Sequence, residues 1–186
     1  MRSRLFLVAF FVAGSAFAQS TSDQAPLSFA FASQAGTGIY DLNGQITEVV
    51  RALQAHEHVE FTTRLAANLP RVVGDPIALR RILEDLMANA VGALESKPGR
   101  VTVSTEQVSG AGEAPAIRVT VADTGRGMSA EETGKIFNDF YTTKEGGSGL
   151  GLSIVRRLVM DLQGTVGVDS TPGKGTAITI DIPIAR

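Results

Sequence analysis

A one-sided apolar helix in the middle of the chain requires a fold of at least two layers. Asp75 and Pro76 form a strong helix start, because they offer an N-cap acceptor followed by a proline at the first helical position. The predicted helix ends near Pro98 and Gly99. Its apolar stripe recurs at helical spacing and consists of Ile77, Ile82, Leu83, Leu86, Met87, Ala90, Val91 and Leu94. Such a face is stable only when it packs against another layer of structure.

A second layer is predicted from segments in which every second residue lies on the same face, as in a β-strand. Residues 59–65 alternate with Val59, Phe61, Thr63 and Leu65 on one face, and further strands are predicted at 70–73, 100–105, 116–122, 165–170 and 176–182. Other helices are predicted after Asp41 or Asn43, from the capping box at Ser129 and Glu132 toward Phe137, and over 150–163. Three main helices and about six strands, mostly in hairpins, predict an α+β fold: a two-layer sandwich with the helices on one face of a mixed β-sheet.

The N-terminus has the pattern of an export signal. Arg2 and Arg4 precede a 14-residue apolar run over 5–18, which closes on the small residues Ala16 and Ala18. This predicts a signal peptide cleaved after Ala18, since a bilayer-spanning helix needs about 20 residues. A short hydrophobic anchor, or a misassigned start within a longer membrane segment, is the alternative. Residues 19–40 are rich in Ser, Ala, Gln and Gly and are predicted to form a linker.

Composition excludes several classes of function. Among 186 residues, 17 Lys and Arg stand against 19 Asp and Glu, giving a net charge of −2. With no basic run, nucleic acid is not expected as a partner. The chain has no cysteine, which removes disulfides, thiolate catalysis and Cys-based zinc sites. Its 20 glycines are more informative, because glycine clusters where backbone turns tightly or approaches a ligand.

Two motifs place polar side chains beside apolar faces. Asp85 and Asn89 are four residues apart, so they share one face of the central helix. They suit either a solvated helix face or a hydrated Mg²⁺, which takes only one or two protein ligands. At the end of the strand IRVTVAD, Asp123 has core-facing parity and needs a dedicated donor. An adenine amine would satisfy it, and an Asp-Gly turn is the plain alternative.

Two glycine-rich motifs follow. Gly146, Gly147, Gly149 and Gly151 precede and open a helix whose first N–H groups form an anion site, with Lys144 nearby. The spacing matches neither a Walker P-loop nor a dinucleotide fingerprint. In TPGKGTAITI, Gly173 and Gly175 form a turn before an alternating strand, which a hairpin or a ligand explains equally well.

In this order and spacing, the four motifs resemble the N, G1, F/G2 and G3 boxes of the histidine-kinase-like ATPase superfamily. The resemblance is strongest to the ATP-binding catalytic domain of bacterial sensor histidine kinases with an FxxFxTTK lid, and it covers residues 41–186. It implies ATP and Mg²⁺ as cofactors. Asn89, with Asp85, would coordinate the metal, and Asp85, Asn89 and Lys144 would be the catalytic residues. The implied nucleotide-binding residues are Asn89, Asp123, Gly125, Gly127, Lys144, Gly147, Gly149, Leu150, Gly151 and Thr176, with a lid over 128–148.

Three positions depart from the family pattern. Asp85 stands where histidine kinases usually carry an Asn, and hydrolytic relatives place a general base there. Gly92 replaces a longer polar residue, and Asp139 replaces the usual proline of the lid.

Three functions follow from the resemblance. The 186 residues leave no length for a two-helix phosphoacceptor region, and His56 lies at a helix-to-strand boundary. We therefore expect a kinase module of a two-component system that phosphorylates a histidine supplied in trans, acting indirectly on a response regulator. A stand-alone ATPase with Asp85 as base, and a non-catalytic binding remnant, are the alternatives. A monomer is expected. The signal predicts export or membrane association, whereas use of ATP requires a domain that faces the cytoplasm.

Overall fold

The computed structural model describes residues 38–109, 115–144 and 147–184, all within one unit that spans Ser33–Arg186. The predicted signal segment and most of the predicted linker lie outside these residues. The described helices and strands are, in chain order, β1 Gly38–Tyr40, α1 Leu42–Leu53, β2 Val59–Leu65, β3 Val72–Gly74, α2 Pro76–Ala93, β4 Gly99–Val108, β5 Ala116–Asp123, α3 Ala130–Thr133, α4 Gly151–Asp161, β6 Thr165–Thr171 and β7 Gly175–Pro183.

Five strands form the main sheet, in the order β2-β4-β5-β7-β6. The pair β2 and β4 is parallel, whereas β4–β5, β5–β7 and β7–β6 are antiparallel, so the sheet is mixed. β1 pairs antiparallel with β3 in a separate two-stranded sheet. This topology puts the end of β5 in the middle of the sheet, with Asp123 opposite Thr176 of β7.

The helices α1, α2 and α4 supply the other layer, and α2 contacts both neighbours. The core lies between α2 and the inward faces of β4, β5 and β7. Its fully buried large side chains are Ile46, Leu79, Ile82, Leu83, Leu86, Met87, Ile117, Ile180 and Ile182. Their burial supplies the main stabilising term of the fold, at roughly 25 cal/mol per Å² of apolar surface. The predicted α+β sandwich is confirmed.

Local caps hold the helix starts as predicted. Asp41 accepts from the backbone N–H of Gly44 at the start of α1, and Asp75 accepts from that of Ile77 at the start of α2. Ser129 and Glu132 form the predicted capping box. Each satisfies backbone donors that the first helical turn leaves unpaired.

Four details differ from the sequence prediction. The helix α2 ends at Ala93 and not near Pro98 and Gly99. Ile77 is not in the core stripe: it is 68% exposed, whereas Leu79 is buried. Two residues apart on a helix point to nearly opposite sides, so only one of them can face the sheet. The short helix α3 ends at Thr133 and not near Phe137. Residues 38–40, at the end of the predicted linker, form β1 because they pair with Val72–Gly74. Within the described ranges, no helix is long and apolar enough to cross a bilayer.

Candidate functional site

A cleft of about 320 Å³ lies beside α2, at the end of β5. Its volume is at the lower end of the range of small-molecule sites. Nine of the eleven predicted site residues line it: Asp85, Asn89, Asp123, Gly127, Lys144, Gly147, Gly149, Gly151 and Thr176. Gly125 and Leu150 do not line it, and each is next in the chain to a residue that contacts the site.

The helix α2 forms one wall of the cleft. Arg81, one turn earlier, donates from Nε to Oδ2 of Asp85 over 2.9 Å, and the Asp85 side chain is 14% exposed. Burial raises the pKa of Asp85, and the attraction of Arg81 opposes that shift. Asn89 lies one turn further along, with Oδ1 accepting from Nζ of Lys144 at 3.3 Å. This wall therefore presents two side-chain oxygens that already interact with cationic groups.

The carboxylate of Asp123 lies at the part of the cleft where the sequence predicts binding of the adenine amine. Its Oδ1 accepts from the backbone N–H of Gly125 at 2.8 Å. Burial raises the pKa of Asp123, while hydrogen bonds from the backbone of Gly125 and Thr176 lower it less strongly. A carboxylate has about four acceptor positions, so this half-buried group retains capacity for a donor from a ligand.

Thr176 is fixed next to Asp123 by a hydroxyl relay. The Ser170 hydroxyl donates to the carbonyl of Gly175 at 3.0 Å and accepts from the backbone N–H of Met128 at 2.9 Å. Because its one proton is thus used, the 2.8 Å contact between Ser170 and Thr176 requires Thr176 to donate. The Thr176 hydroxyl therefore offers lone pairs, not a proton, to a ligand.

Two glycines of the cleft have a backbone conformation and close backbone contacts that leave no room for a side chain. Gly127 has φ +63°, and a Cβ there would lie 1.9 Å from the carbonyl oxygen of Thr171. Gly149 has φ +70°, and its Cβ would lie 2.5 Å from the carbonyl carbon of Phe140. L-residues are strained in this left-handed region, so both positions require glycine.

The phosphate end predicted from the sequence contains an ammonium and a helix N-terminus. Lys144 is exposed as a residue, but its amine reaches into the cleft, where desolvation, with the repulsion of Arg126, lowers its pKa. The N-cap of α4 is Leu150, which makes no side-chain capping bond. Gly151 and Leu152 of this first turn line the cleft. An uncapped N-terminus leaves N–H donors available for an anion.

Arg126 also lies at the site, although none of the four sequence motifs predicts it there. Its guanidinium bonds the Thr143 hydroxyl, pairs with Glu132 at 3.1 Å and lines the cleft. The sequence signal was its position between Gly125 and Gly127, two of the predicted nucleotide-binding residues. Together with the Lys144–Asn89 contact, the Arg126–Thr143 bond attaches the 141–144 loop to the rest of the domain.

The donor set fits a hydrated magnesium ion in one respect. Oδ1 of Asn89 faces the cleft and already accepts from a cation, and Mg²⁺ needs only one or two protein ligands beside phosphate and water. Among the described residues, no group of three or more His, Asp or Glu side chains forms a self-sufficient metal site. Any such ion would therefore depend on oxygens brought by the nucleotide.

The comparison with known proteins now decides the family. The model of the histidine kinase-, DNA gyrase B-, and HSP90-like ATPases matches residues 74–186. The chain belongs to this ATPase family. The resemblance drawn from the four motifs is confirmed, and the chain carries an ATP-binding domain of the histidine kinase type.

Sensor histidine kinases are similar in sequence to most of this chain. The chain is 36% identical over 147 residues to the sensor histidine kinase ZraS of Klebsiella oxytoca, covering 77% of this chain and 31% of that protein. It is 32% identical over 146 residues to the signal transduction histidine-protein kinase AtoS of Escherichia coli, covering 77% and 23%. The chain thus spans about a third or less of these curated relatives.

Solved structures of the same ATPase family share the fold. The catalytic domain of histidine kinase ThkA superposes with a TM-score of 0.68 at 27% identity, covering 80% of this chain and 95% of that one. Full-length ShkA, solved in complex with AMPPNP, gives a TM-score of 0.71 at 30% identity, covering 82% and 32%. The described sheet and helices thus have the fold of a histidine kinase catalytic domain.

Proposed function

We propose that the cleft binds ATP and that the domain transfers the γ-phosphoryl group to a histidine supplied in trans. The observation that carries the proposal is the convergence on one cleft of a half-buried carboxylate, an ammonium and an uncapped helix N-terminus. These groups match the two ends of ATP, which has a neutral base with donors and a polyanionic tail.

Asp123 recognises the base. The exocyclic amine of adenine donates to its carboxylate, and Thr176 accepts from a ligand donor or from bridging water beside it. A site built to satisfy a buried acceptor with a specific donor rejects ligands that lack that donor, because the acceptor is then left unpaired. Gly125 turns the backbone toward Asp123, and Gly127 lets it pass close to β6 and β7.

Lys144 and the first turn of α4 hold the phosphates. The N–H groups near Gly149, Leu150 and Gly151 face the anion, while the ammonium of Lys144 neutralises its charge. Asn89, with Asp85, would hold Mg²⁺, which supplies charge neutralisation of the β- and γ-phosphates when bound.

The transfer needs a nucleophile from elsewhere. The bond between the γ-phosphorus and its β-bridging oxygen breaks, a bond from an imidazole nitrogen to that phosphorus forms, and ADP leaves with the electron pair. The two histidines of the sequence are His56 and His58. Both lie in the turn between α1 and β2, away from the residues that line the cleft. Our proposal places the acceptor histidine on a helical phosphoacceptor protein, with a response regulator as the downstream partner. The domain faces a compartment that contains ATP.

Labelled ATP tests the transfer. We expect the full chain, with [γ-³²P]ATP and Mg²⁺, to label a two-helix phosphoacceptor domain from a sensor histidine kinase, with acid-labile and alkali-stable label. The same acceptor with His replaced by Gln is the control. ATP binding without label on any histidine would contradict the kinase function and leave a binding module.

Asp85 favours hydrolysis as a second candidate. It lines the cleft and burial raises its pKa, as suits a general base that activates water. In this case the chain releases phosphate steadily, and Asp85→Asn abolishes release while ATP binding survives. Equal release by wild type and variant would exclude Asp85 as the base.

A further inference from the structure

We propose that Gly92 is a positioning residue for Lys144. Because it has no side chain, Gly92 forms a seat on α2 that keeps the Lys144 ammonium next to Asn89 and ties the 141–144 loop to the helix. The inference rests on the proposed function of the cleft and names a residue that none of the four motifs assigns to the site.

The seat is defined by three distances. A Cβ added at Gly92 would lie 2.5 Å from Nζ of Lys144, 3.2 Å from Cε and 3.9 Å from Cδ. The distances increase from Nζ to Cδ, so the lysine approaches Gly92 with its ammonium end. Gly92 follows Asn89 by three residues, so both are on the same face of the helix, and the ammonium that passes over Gly92 reaches Oδ1 of Asn89 at 3.3 Å.

Gly92 is the second-last residue of α2, and glycine is less favourable than alanine in a helix. Close packing of a second backbone is a common reason for such a glycine. Here, the three nearest atoms to the missing Cβ all belong to Lys144. The space is therefore occupied by the lysine.

A methyl group would move the lysine without straining the fold. Ordinary van der Waals contact begins at 3.4 Å, so the ammonium must retreat by about 1 Å. A hydrogen bond that is already 3.3 Å long does not survive such a shift. The displaced atom is the free end of a flexible side chain, and alanine is a better helix former than glycine. Gly92→Ala thus separates the position of Lys144 from the stability of the domain.

Hydrogen exchange of the nucleotide-free full chain tests the seat. We expect Gly92→Ala to accelerate exchange of the backbone amide of Lys144, which donates to the Thr142 hydroxyl, by about tenfold, the low end for losing one hydrogen bond to a charged group. The free energy of unfolding should be unchanged or higher. Gly134→Ala is the matched control, since Gly134 has φ −67° and its Cβ would lie 3.6 Å from the nearest atoms. It should leave exchange of the Lys144 amide unchanged.

A double-mutant cycle separates action through Lys144 from a merely structural effect. Lys144→Met keeps the aliphatic stem and removes the ammonium, so Gly92→Ala in that background should produce no further acceleration. The proposal would be overturned if the Lys144 amide in Gly92→Ala exchanged at the wild-type rate. It would also be overturned if Gly92→Ala accelerated exchange equally in the wild-type and Lys144→Met backgrounds. This experiment uses no nucleotide. If the wild-type chain bound no ATP, the proposed function would fail. The exchange rates would still show whether Gly92 positions Lys144.

Discussion

The two ends of the cleft are built in different ways. At the proposed base end, Asp123 and Thr176 face each other on paired central strands, and a hydroxyl relay through Ser170 fixes their neighbours. At the phosphate end, two side-chain contacts hold an exposed loop: Arg126 to Thr143 and Lys144 to Asn89. The base end is therefore preorganised by the sheet, whereas the phosphate end depends on contacts that a ligand can replace.

This contrast assigns different work to the two ends. A site on rigid strands selects by geometry, since an unsatisfied buried acceptor has nowhere to move. A loop held by one or two exposed bonds opens at small energetic cost and admits or releases a ligand. We expect base recognition to be lost sharply on mutation at Asp123, and phosphate binding to be lost gradually on mutation in the loop.

The largest effect is expected at Asp123. Asp123→Asn keeps an oxygen for the Gly125 bond but weakens the acceptor for an adenine amine, so affinity for ATP and for AMP should both fall about 100-fold. Isothermal titration calorimetry of the full chain measures both ligands. A loss for ATP alone would show that Asp123 acts at the phosphate end.

A smaller, selective effect is expected at Lys144. Lys144→Met removes one charge-assisted contact to phosphate, so affinity for ATP should fall about tenfold while affinity for AMP changes little. The same titrations check it. Equal losses for both nucleotides would place the lysine at the base end and remove the contrast between the two regions.

The half-buried carboxylate of Asp123 should also affect the free energy of unfolding. Burial raises the folded-state pKa of Asp123 above its unfolded value, so the folded state holds its proton more tightly. Stability then decreases as pH rises from the unfolded pKa through the folded one, and the cost persists at neutral pH. We expect Asp123→Asn to be more stable than wild type at pH 7, by an amount that shrinks toward pH 3. Chemical denaturation at several pH values measures this difference. A constant difference across that range would contradict the pKa assignment.

The smallest effect is expected on the opposite face of the sheet. Arg118 and Asp181 form an ion pair of 2.8 Å between β5 and β7, with both side chains partly exposed. Arg118→Ala should reduce the free energy of unfolding by less than about 1 kcal/mol, the range for surface pairs. ATP affinity should not change, so this variant is also the control for the two cleft variants. A tenfold loss of affinity would mean that the sheet transmits changes to the base end.

Periodicity and capping residues predicted most of the fold. Asp41, Asp75 and Ser129 marked helix starts that the structure places within one residue, because caps satisfy local backbone donors and act within a single turn. Ile77 was misplaced because an apolar stripe does not specify which of two nearby residues faces the sheet. The strand at 38–40 was missed because its partner, Val72–Gly74, lies more than 30 residues away, and three residues show no period.

The site was predictable where motifs supply one ligand group each. Asp123, Asn89 and the glycines of the lid motif each belong to a recognisable pattern, and the fold brings Asp123, Asn89, Gly147, Gly149 and Gly151 to one cleft. Arg126 and Gly92 were not predicted as site residues, because their roles depend on the tertiary contacts of a loop. Arg126 meets Thr143, 17 residues later, and Gly92 meets a lysine 52 residues later. Spacing alone does not reveal such contacts.

Recognition of the adenine base by Asp123 is the central claim, and binding of inosine triphosphate tests that claim directly. This nucleotide has the same phosphates and sugar as ATP but carries a carbonyl where adenine has its amine. Calorimetric titration of the full wild-type chain should show ATP bound about 100-fold more tightly than inosine triphosphate, and Asp123→Asn should remove most of that preference. Equal affinity of the wild-type chain for the two nucleotides would contradict the assignment of the base end to Asp123.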